Sequence, residues 1–157
     1  GDCGKECSFF HVLPSLFAAS EFYKGDFDLE IIKEKFAKLF NLSFDDFMLL
    51  DSCSYFKNSN CDDYLEIINR GPIYNDPFVP ILDVALSKHE HIDYLKCSKL
   101  LGEAGKRNPN FKYLFDVQSS LAEFLFFKYD LSKKLRIAYK NHDKNQLNNL
   151  INVKEIW

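Results

Sequence analysis

Methionine and long apolar runs are both scarce in this sequence. The only methionine among the 157 residues is Met48, so we expect that Gly1 is not a translation start and that the chain is a fragment of a larger protein. No apolar run approaches the roughly 20 residues that span a bilayer. The N-terminal stretch also lacks the basic start and long apolar centre of a signal peptide. These absences argue against a membrane-spanning protein and against a secreted one.

The sequence also lacks an excess of charge of one sign. Its 20 basic and 23 acidic residues are interspersed and give a formal net charge of -3. A protein that binds nucleic acid needs a basic stripe that neutralises phosphates. Nucleic acid is therefore not an expected partner.

Cysteine is too sparse for a disulfide framework. The five cysteines are Cys3, Cys7, Cys53, Cys61 and Cys97. An odd number cannot pair completely within one chain, and small disulfide-stapled folds carry a dense, even set. The pattern favours reduced thiols and a cytoplasmic protein.

Metal-binding and nucleotide-binding patterns are missing as well. Cys3, Cys7 and His11 recur every four residues, but a closed zinc site normally has four ligands with shorter spacings. The segment 102–106, Gly-Glu-Ala-Gly-Lys, lacks the full phosphate-binding pattern. The sequence predicts no metal ion and no cofactor.

Large apolar side chains are abundant and follow a helical period. Hydrophobic residues make up 46% and aromatic residues 16% of the chain, with sixteen phenylalanines. Apolar residues recur every three or four positions along most of the chain, and no stretch alternates as a strand does. The sequence predicts an all-α, bundle-like fold of about seven or eight helices.

Capping residues set the expected limits of the first helices. Pro14 suits the first position of a helix that ends near Lys24, before a glycine. Asp28 precedes the next amphipathic helix as its N-cap. Ser43 and Asp46 have capping-box spacing at the start of a third helix.

The middle and the end of the chain are less regular. A polar loop is predicted over 51–63, a short helix over 64–68 and a second, non-periodic loop over 70–77. Two helices follow and stop at Gly105 and Pro109. The apolar face that starts at Phe111 continues either as one helix or as two that break near Asp130. Asp143 has the spacing of an N-cap for a last short helix.

Two places carry polar side chains that helix capping does not require. Asp2 and Glu6 lie on a loop that contains glycine, and their simplest interpretation is an ordinary connection. Tyr74, Asn75 and Asp76 lie in a proline-bounded loop whose composition suits hydrogen bonding to a sugar, or an Asx turn. The acid pairs 45–46 and 62–63 are explained as charges in first helical turns, so no catalytic residue is predicted.

Several runs of residues resemble one enzyme family. They are Gly-Asp-Cys-Gly-Lys-Glu-Cys-Ser at 1–8, His-Val-Leu-Pro-Ser-Leu at 11–16, Phe-Asp-Asp-Phe-Met-Leu-Leu-Asp at 44–51, Tyr-Asn-Asp-Pro-Phe at 74–78, Lys-Tyr-Asp-Leu at 128–131 and Leu-Arg-Ile-Ala-Tyr at 135–139. Together they resemble a bacterial branch of glycoside hydrolase family 20, the β-N-acetylhexosaminidases. The resemblance spans nearly the whole chain.

The resemblance implies a domain order and a missing catalytic part. In this family a (β/α)8 barrel carries the active site, and in this branch a helical domain follows the barrel. Residues 1–25 would be the remnant of the last barrel loop and helix, and residues 26–157 the helical C-terminal domain. The catalytic Asp-Glu pair lies on an earlier strand, so the isolated chain is expected to be inactive and its partner is the missing barrel.

The resemblance also implies which residues reach the N-acetylhexosamine of a glycan. Glu6 matches a family glutamate that binds the outer hydroxyls of the terminal sugar, with Asp2 as its neighbour. Tyr74, Asn75 and Asp76 either contact the sugar or lock the helical domain to the barrel. The sequence departs from the family pattern at Cys3 and in the approach to Tyr74.

A different class of function is compatible with the helical pattern. Amphipathic helices also build stand-alone modules that bind a partner helix without catalysis. Such a module would not require the order of motifs described above.

Overall fold

The computed structural model describes residues 9–53, 71–86 and 92–151. These residues form helices and short turns, and none of them lies in a strand. The α-helices are α1 Phe9–Tyr23, α2 Leu29–Phe40, α3 Phe44–Met48, α4 Gly71–Tyr74, α5 Asp83–Leu86, α6 Tyr94–Arg107, α7 Lys112–Lys128, α8 Leu131–Lys140 and α9 Lys144–Ile151. Single 3-10 turns cover Leu49–Asp51 and Pro109–Phe111. The prediction of an all-α fold is confirmed.

The predicted position of Pro14 is wrong. The described part of α1 already begins at Phe9, so Pro14 lies inside the helix, where its ring is buried. A proline removes one helical hydrogen bond, and packing of this apolar helix offsets that loss. The predicted end is correct, because α1 stops at Tyr23 and Gly25 follows with a φ of +94°.

The predicted caps of α2 and α9 are confirmed. Asp28 accepts hydrogen bonds from the backbone N–H groups of Glu30 at 2.9 Å and Ile31 at 3.4 Å. Asp143 accepts from the backbone N–H of Gln146 at 2.9 Å. In both cases a short carboxylate satisfies donors that a first helical turn leaves open.

Three further comparisons concern the end of α6, the break between α7 and α8, and the loop predicted over 70–77. Gly105 does not stop α6, which continues to Arg107, because glycine only weakens a helix whereas Pro109 interrupts its hydrogen bonds. The apolar face after Phe111 is divided between α7 and α8, so the two-helix alternative is correct. The loop predicted over 70–77 contains a helical turn, α4. The predicted helix over 64–68 lies outside the described residues.

The described chain divides into two compact units, and the divisions fall after Ser52, inside α6 and inside α7. The first unit contains 9–52 and 97–119. Its core is built around Ile32, Phe36 and Phe44, against which Phe17 and Phe40 pack. The Phe36 ring lies 5.3 Å from the Phe44 ring and 5.4 Å from the Phe17 ring, both edge-on, an arrangement that aromatic pairs prefer.

The second unit contains the described parts of 53–96 and 120–151. Its buried apolar residues include Tyr94, Ala122, Leu125, Leu135 and Ala138. The rings of Tyr94 and Tyr129 are 5.9 Å apart. Among the described residues of both units, no helix is long and apolar enough to cross a membrane.

Candidate functional site

The predicted sugar-site residues fall into two groups. Asp2 and Glu6 lie outside the described residues, so their predicted role stays a prediction. Tyr74 ends α4, and Asn75 and Asp76 begin the loop that leads from α4 to α5. The structure therefore brings the second group together in one turn of the second unit.

Asn75 is buried and holds the two ends of this loop together. Its backbone N–H donates to the carbonyl of Gly71 at 2.8 Å, which completes α4. Its side-chain oxygen accepts from the backbone N–H of Leu82 at 3.1 Å, and its Nδ2 donates to Asp83 Oδ1 at 2.7 Å. Both ends of the amide are thus used inside the loop, which is how buried polar groups are normally satisfied.

Asp76 shapes the next turn of the same loop. Its Oδ1 accepts from the backbone N–H groups of Phe78 at 2.7 Å and Val79 at 3.2 Å. This is an Asx-type turn, which an aspartate stabilises through its own backbone. The side chains of Tyr74 and Asp76 are exposed, so they reach solvent from a fixed backbone.

Asp83 connects the loop to α8. Its carboxylate accepts from Asn75 and from Ser132 Oγ, at 2.8 Å to Oδ1 and 3.0 Å to Oδ2. It also forms an ion pair with Arg136. Ser132 is buried, whereas the Arg136 side chain is 54% exposed, so the ion pair closes the solvent side of the cluster.

Lys128 contacts the loop from the end of α7. Its ammonium group donates to the carbonyl of Ile73 and lies 5.6 Å from the centre of the Phe124 ring. Partial burial lowers the pKa of Lys128 from its usual value, and the negative charge of Asp76 acts in the opposite direction. Through these two contacts Lys128 ties α4 to the end of α7.

Sequence reasoning missed Asp83, Lys128, Ser132 and Arg136. The last three follow one another at a spacing of four residues, which is the spacing of one helix face, so a signal was present. It was hidden because the helix breaks between Lys128 and Leu131. Asp83, about fifty residues away, carried no sequence signal that pointed to them.

The acid pair 45–46 lies in the first turn of α3, as predicted. Ser43 Oγ accepts from the backbone N–H of Asp46 at 3.2 Å, which is the expected N-cap. The carboxylate of Asp46 accepts from Arg107 Nη2 at 2.6 Å, from Arg107 Nε at 3.1 Å and from Asn108 Nδ2 at 2.8 Å. Its main role is therefore a tertiary contact that the sequence interpretation did not include.

Histidine, cysteine and acidic side chains do not cluster as metal ligands within 9–53, 71–86 and 92–151. Of the spaced set Cys3, Cys7 and His11, only His11 is described, and it is buried in α1. Neither Cys53 nor Cys97 forms a disulfide.

The described residues define a class: an all-helical domain in which Asn75, Asp76 and Asp83 organise one loop. The family model of the Glycoside Hydrolase 20C C-terminal domain matches residues 45–156. The chain belongs to this family, and its name implies a parent glycoside hydrolase with a catalytic domain. No curated protein and no solved structure matches the chain. The stand-alone interaction module is not favoured by the family match.

Proposed function

We propose that the chain is the C-terminal part of a β-N-acetylhexosaminidase, which removes terminal N-acetylhexosamine residues from glycans with retention of configuration. The match of residues 45–156 to the Glycoside Hydrolase 20C C-terminal domain carries this proposal. In glycoside hydrolase family 20, which the sequence resembles, hydrolysis is assisted by the substrate itself. The substrate acetamide oxygen attacks the anomeric carbon, an aspartate orients the acetamide, and a glutamate protonates the leaving oxygen.

Residues 1–25 are proposed to be the last loop and helix of the catalytic barrel, and residues 26–157 the helical domain. The surface of α1 supports this division. Its only acidic side chain, Glu21, is buried, and it has no lysine or arginine. All its exposed residues are uncharged: Phe9, Ser15, Leu16, Ala19, Ser20, Phe22 and Tyr23. A helix without charges on its outer face is typical of one that packs against further protein.

The division predicts that the catalytic pair lies in the barrel and that the 157-residue chain alone is inactive. The test compares the intact protein with this chain on chromogenic N-acetylglucosaminide and N-acetylgalactosaminide substrates. We expect turnover by the intact protein only. Turnover by the chain alone would place catalytic residues within it, and an inactive intact protein would contradict the proposed function.

Glu6 is proposed to bind the outer hydroxyls of the terminal sugar, with Asp2 supporting it. A sugar hydroxyl that loses its partner in a buried site costs about 1–3 kcal/mol, which corresponds to a decrease in kcat/KM of about 5- to 150-fold. The measurement is kcat/KM of the intact Glu6→Ala enzyme, with Lys5→Ala as the control. An unchanged kcat/KM would refute the assignment.

Asn75 is proposed to brace the loop that carries Tyr74 and Asp76. The supporting observation is that both ends of its side-chain amide bond within the loop. In the intact enzyme, Asn75→Ala should lower the melting temperature, because it removes the partner of Leu82 and Asp83. If Tyr74 or Asp76 contacts sugar, Tyr74→Phe or Asp76→Asn raises KM. An Asn75→Ala variant of unchanged stability would contradict the bracing role.

We further propose a cytoplasmic location for the parent enzyme. The odd number of cysteines supports a reducing compartment.

A further inference from the structure

We infer that the loop between α4 and α5 forms a further surface by which the helical domain docks on the catalytic domain of the parent enzyme, in addition to the packing of α1. This inference rests on the proposed function, and it assigns a partner surface to a loop for which sequence reasoning left two roles open.

The outer side of the loop is apolar and highly exposed. We call it the apolar loop face, and it consists of Phe78, Val79 and Ile81 of the loop together with Val84 in the first turn of α5. Their exposed fractions are 77%, 63%, 81% and 72%. Such values belong to a protruding segment, and four large apolar side chains within seven residues are more than the isolated exposed residues of ordinary surfaces.

The charges of the loop do not break up this face. Between Ile73 and Leu86 the only charged residues are Asp76 and Asp83. Asp76 accepts backbone N–H groups of the loop, and Asp83 accepts from Asn75, Ser132 and Arg136. Both carboxylates are thus engaged in hydrogen bonds that hold the loop, while the four apolar side chains stay exposed.

The same hydrogen bonds make the loop ready for docking. A loop that is already held in one conformation loses little conformational entropy when a partner covers it. The apolar loop face presents on the order of 400 Å², because a fully exposed phenylalanine offers about 150–250 Å² and a valine or isoleucine about 100 Å². Interfaces between domains of one chain bury about 600–1,500 Å², so this face can supply a substantial part of one.

The catalytic domain is the occupant that the observations favour. The loop lies within the residues matched by a family of C-terminal domains, and such a domain implies a catalytic domain in the same protein. The four side chains of the apolar loop face carry no charge, so they fit an apolar recess better than an acidic or basic peptide. A domain tethered in the same chain also has a high effective concentration.

Hydroxyl-radical footprinting of the intact enzyme tests this inference without any mutation. Phe78 is 77% exposed and Phe127 is 48% exposed, so an uncovered Phe78 is oxidised at least as fast as Phe127. If the loop is docked, we expect Phe78 to be oxidised about fivefold or more slowly than Phe127, because the centre of an interface excludes solvent. Rates are normalised to those of the unfolded enzyme. Equal or faster oxidation of Phe78 overturns the inference.

A double variant gives a second measurement. Phe78→Ser combined with Ile81→Ser leaves the polar bonds of the loop in place and removes its most exposed apolar side chains. We expect a lower melting temperature of the intact enzyme, whereas the control Tyr139→Ser, at a residue 71% exposed on α8, leaves it unchanged. An unchanged or higher melting temperature of the double variant contradicts docking.

Two controls identify which proposal fails. Hydrolase activity of the same preparation tests the proposed function separately: an active enzyme with an unprotected Phe78 refutes docking alone. A protected loop in an inactive protein refutes the hydrolase alone. If protection of Phe78 from oxidation increases with protein concentration, a second copy of the protein covers the apolar loop face, and the inference is overturned.

Discussion

Asp46 and Asp45 are neighbours in the sequence with unequal roles in the structure. The Asp46 side chain is 9% exposed and accepts both Arg107 and Asn108, whereas the Asp45 side chain is 70% exposed and pairs with Lys33 at 3.1 Å. A buried carboxylate that holds a bidentate arginine joins elements distant in sequence. An exposed ion pair contributes little, because solvent screens it.

This difference predicts unequal effects of two matched substitutions. Asp46→Ala should lower the free energy of unfolding by about 1–3 kcal/mol, because it removes three hydrogen bonds to a buried carboxylate. Asp45→Ala should lower it by less than about 1 kcal/mol. Urea unfolding followed by circular dichroism measures both. Equal decreases in the free energy of unfolding would mean that Asp46 stabilises the fold only through its position in the first helical turn, which Asp45 shares.

Glu21 makes the stability of the first unit depend on pH. Its side chain is 4% exposed and accepts from Lys24 at 2.5 Å and from Lys35 at 2.8 Å. Hydrogen bonds from Lys24 and then Lys35 hold the pKa of Glu21 below its usual value of 4.5. A carboxyl whose pKa is lowered by folding stabilises the fold above its unfolded pKa, and the contribution is lost as pH falls through the folded pKa.

The Glu21→Gln variant is therefore expected to be less stable than the original chain at pH 7. The difference should persist down to pH 4.5 and shrink at lower pH, where the carboxyl is protonated in both states. Glu34→Gln, at an exposed residue of α2, is the control. Denaturant midpoints at several pH values measure the difference, and one that stays constant to pH 3 would disprove the role of this charge.

At the scale of elements, α6 shows how one helix tolerates two glycines for different reasons. A Cβ at Gly102 would meet nothing within 4 Å, whereas a Cβ at Gly105 would lie 3.0 Å from the Cβ of Phe115 on α7. The Phe115 Cβ is fixed by its own helix, so it cannot move aside without a shift of α7. The close approach of α6 and α7 thus requires glycine at 105 but not at 102.

Alanine substitutions should separate the two glycines. Gly102→Ala should raise the free energy of unfolding by about 0.5–1 kcal/mol, because alanine loses less backbone entropy in a helix. Gly105→Ala should lower it by about 1–3 kcal/mol, which is typical of overpacking. Thermal unfolding of the two variants provides the comparison. Stabilisation by both would show that α6 and α7 can separate at no cost.

Helix boundaries were predicted well where a side chain caps the helix start. The caps Asp28, Ser43 and Asp143 were predicted correctly because capping involves residues two or three positions apart. Pro14 was misplaced because its position depends on how α1 packs. The last turn of α6 was missed because Gly105 does not end the helix. It lies inside α6, where α7 approaches closely.

At the scale of the whole molecule, the thiols bear on the proposed cytoplasmic location. With five cysteines and no disulfide at Cys53 or Cys97, the 157-residue chain should have the same melting temperature with and without a reductant. A native disulfide contributes about 2–4 kcal/mol, so its reduction would lower the melting temperature by several degrees. A decrease of that size would contradict the reduced state.

The sequence by itself determined the helical class, the main caps and the family, because each depends on local periodicity or on the order of short motifs. Tertiary structure decided what individual polar residues do. Asn75, a candidate sugar ligand, bonds to Asp83, and Asp83 bonds to Ser132 and Arg136 on α8. Asp46 likewise bonds across the fold to Arg107. The contacts of Asp83 with α8 and of Asp46 with Arg107 join residues about fifty or sixty positions apart, and only folding brings them within hydrogen-bond distance.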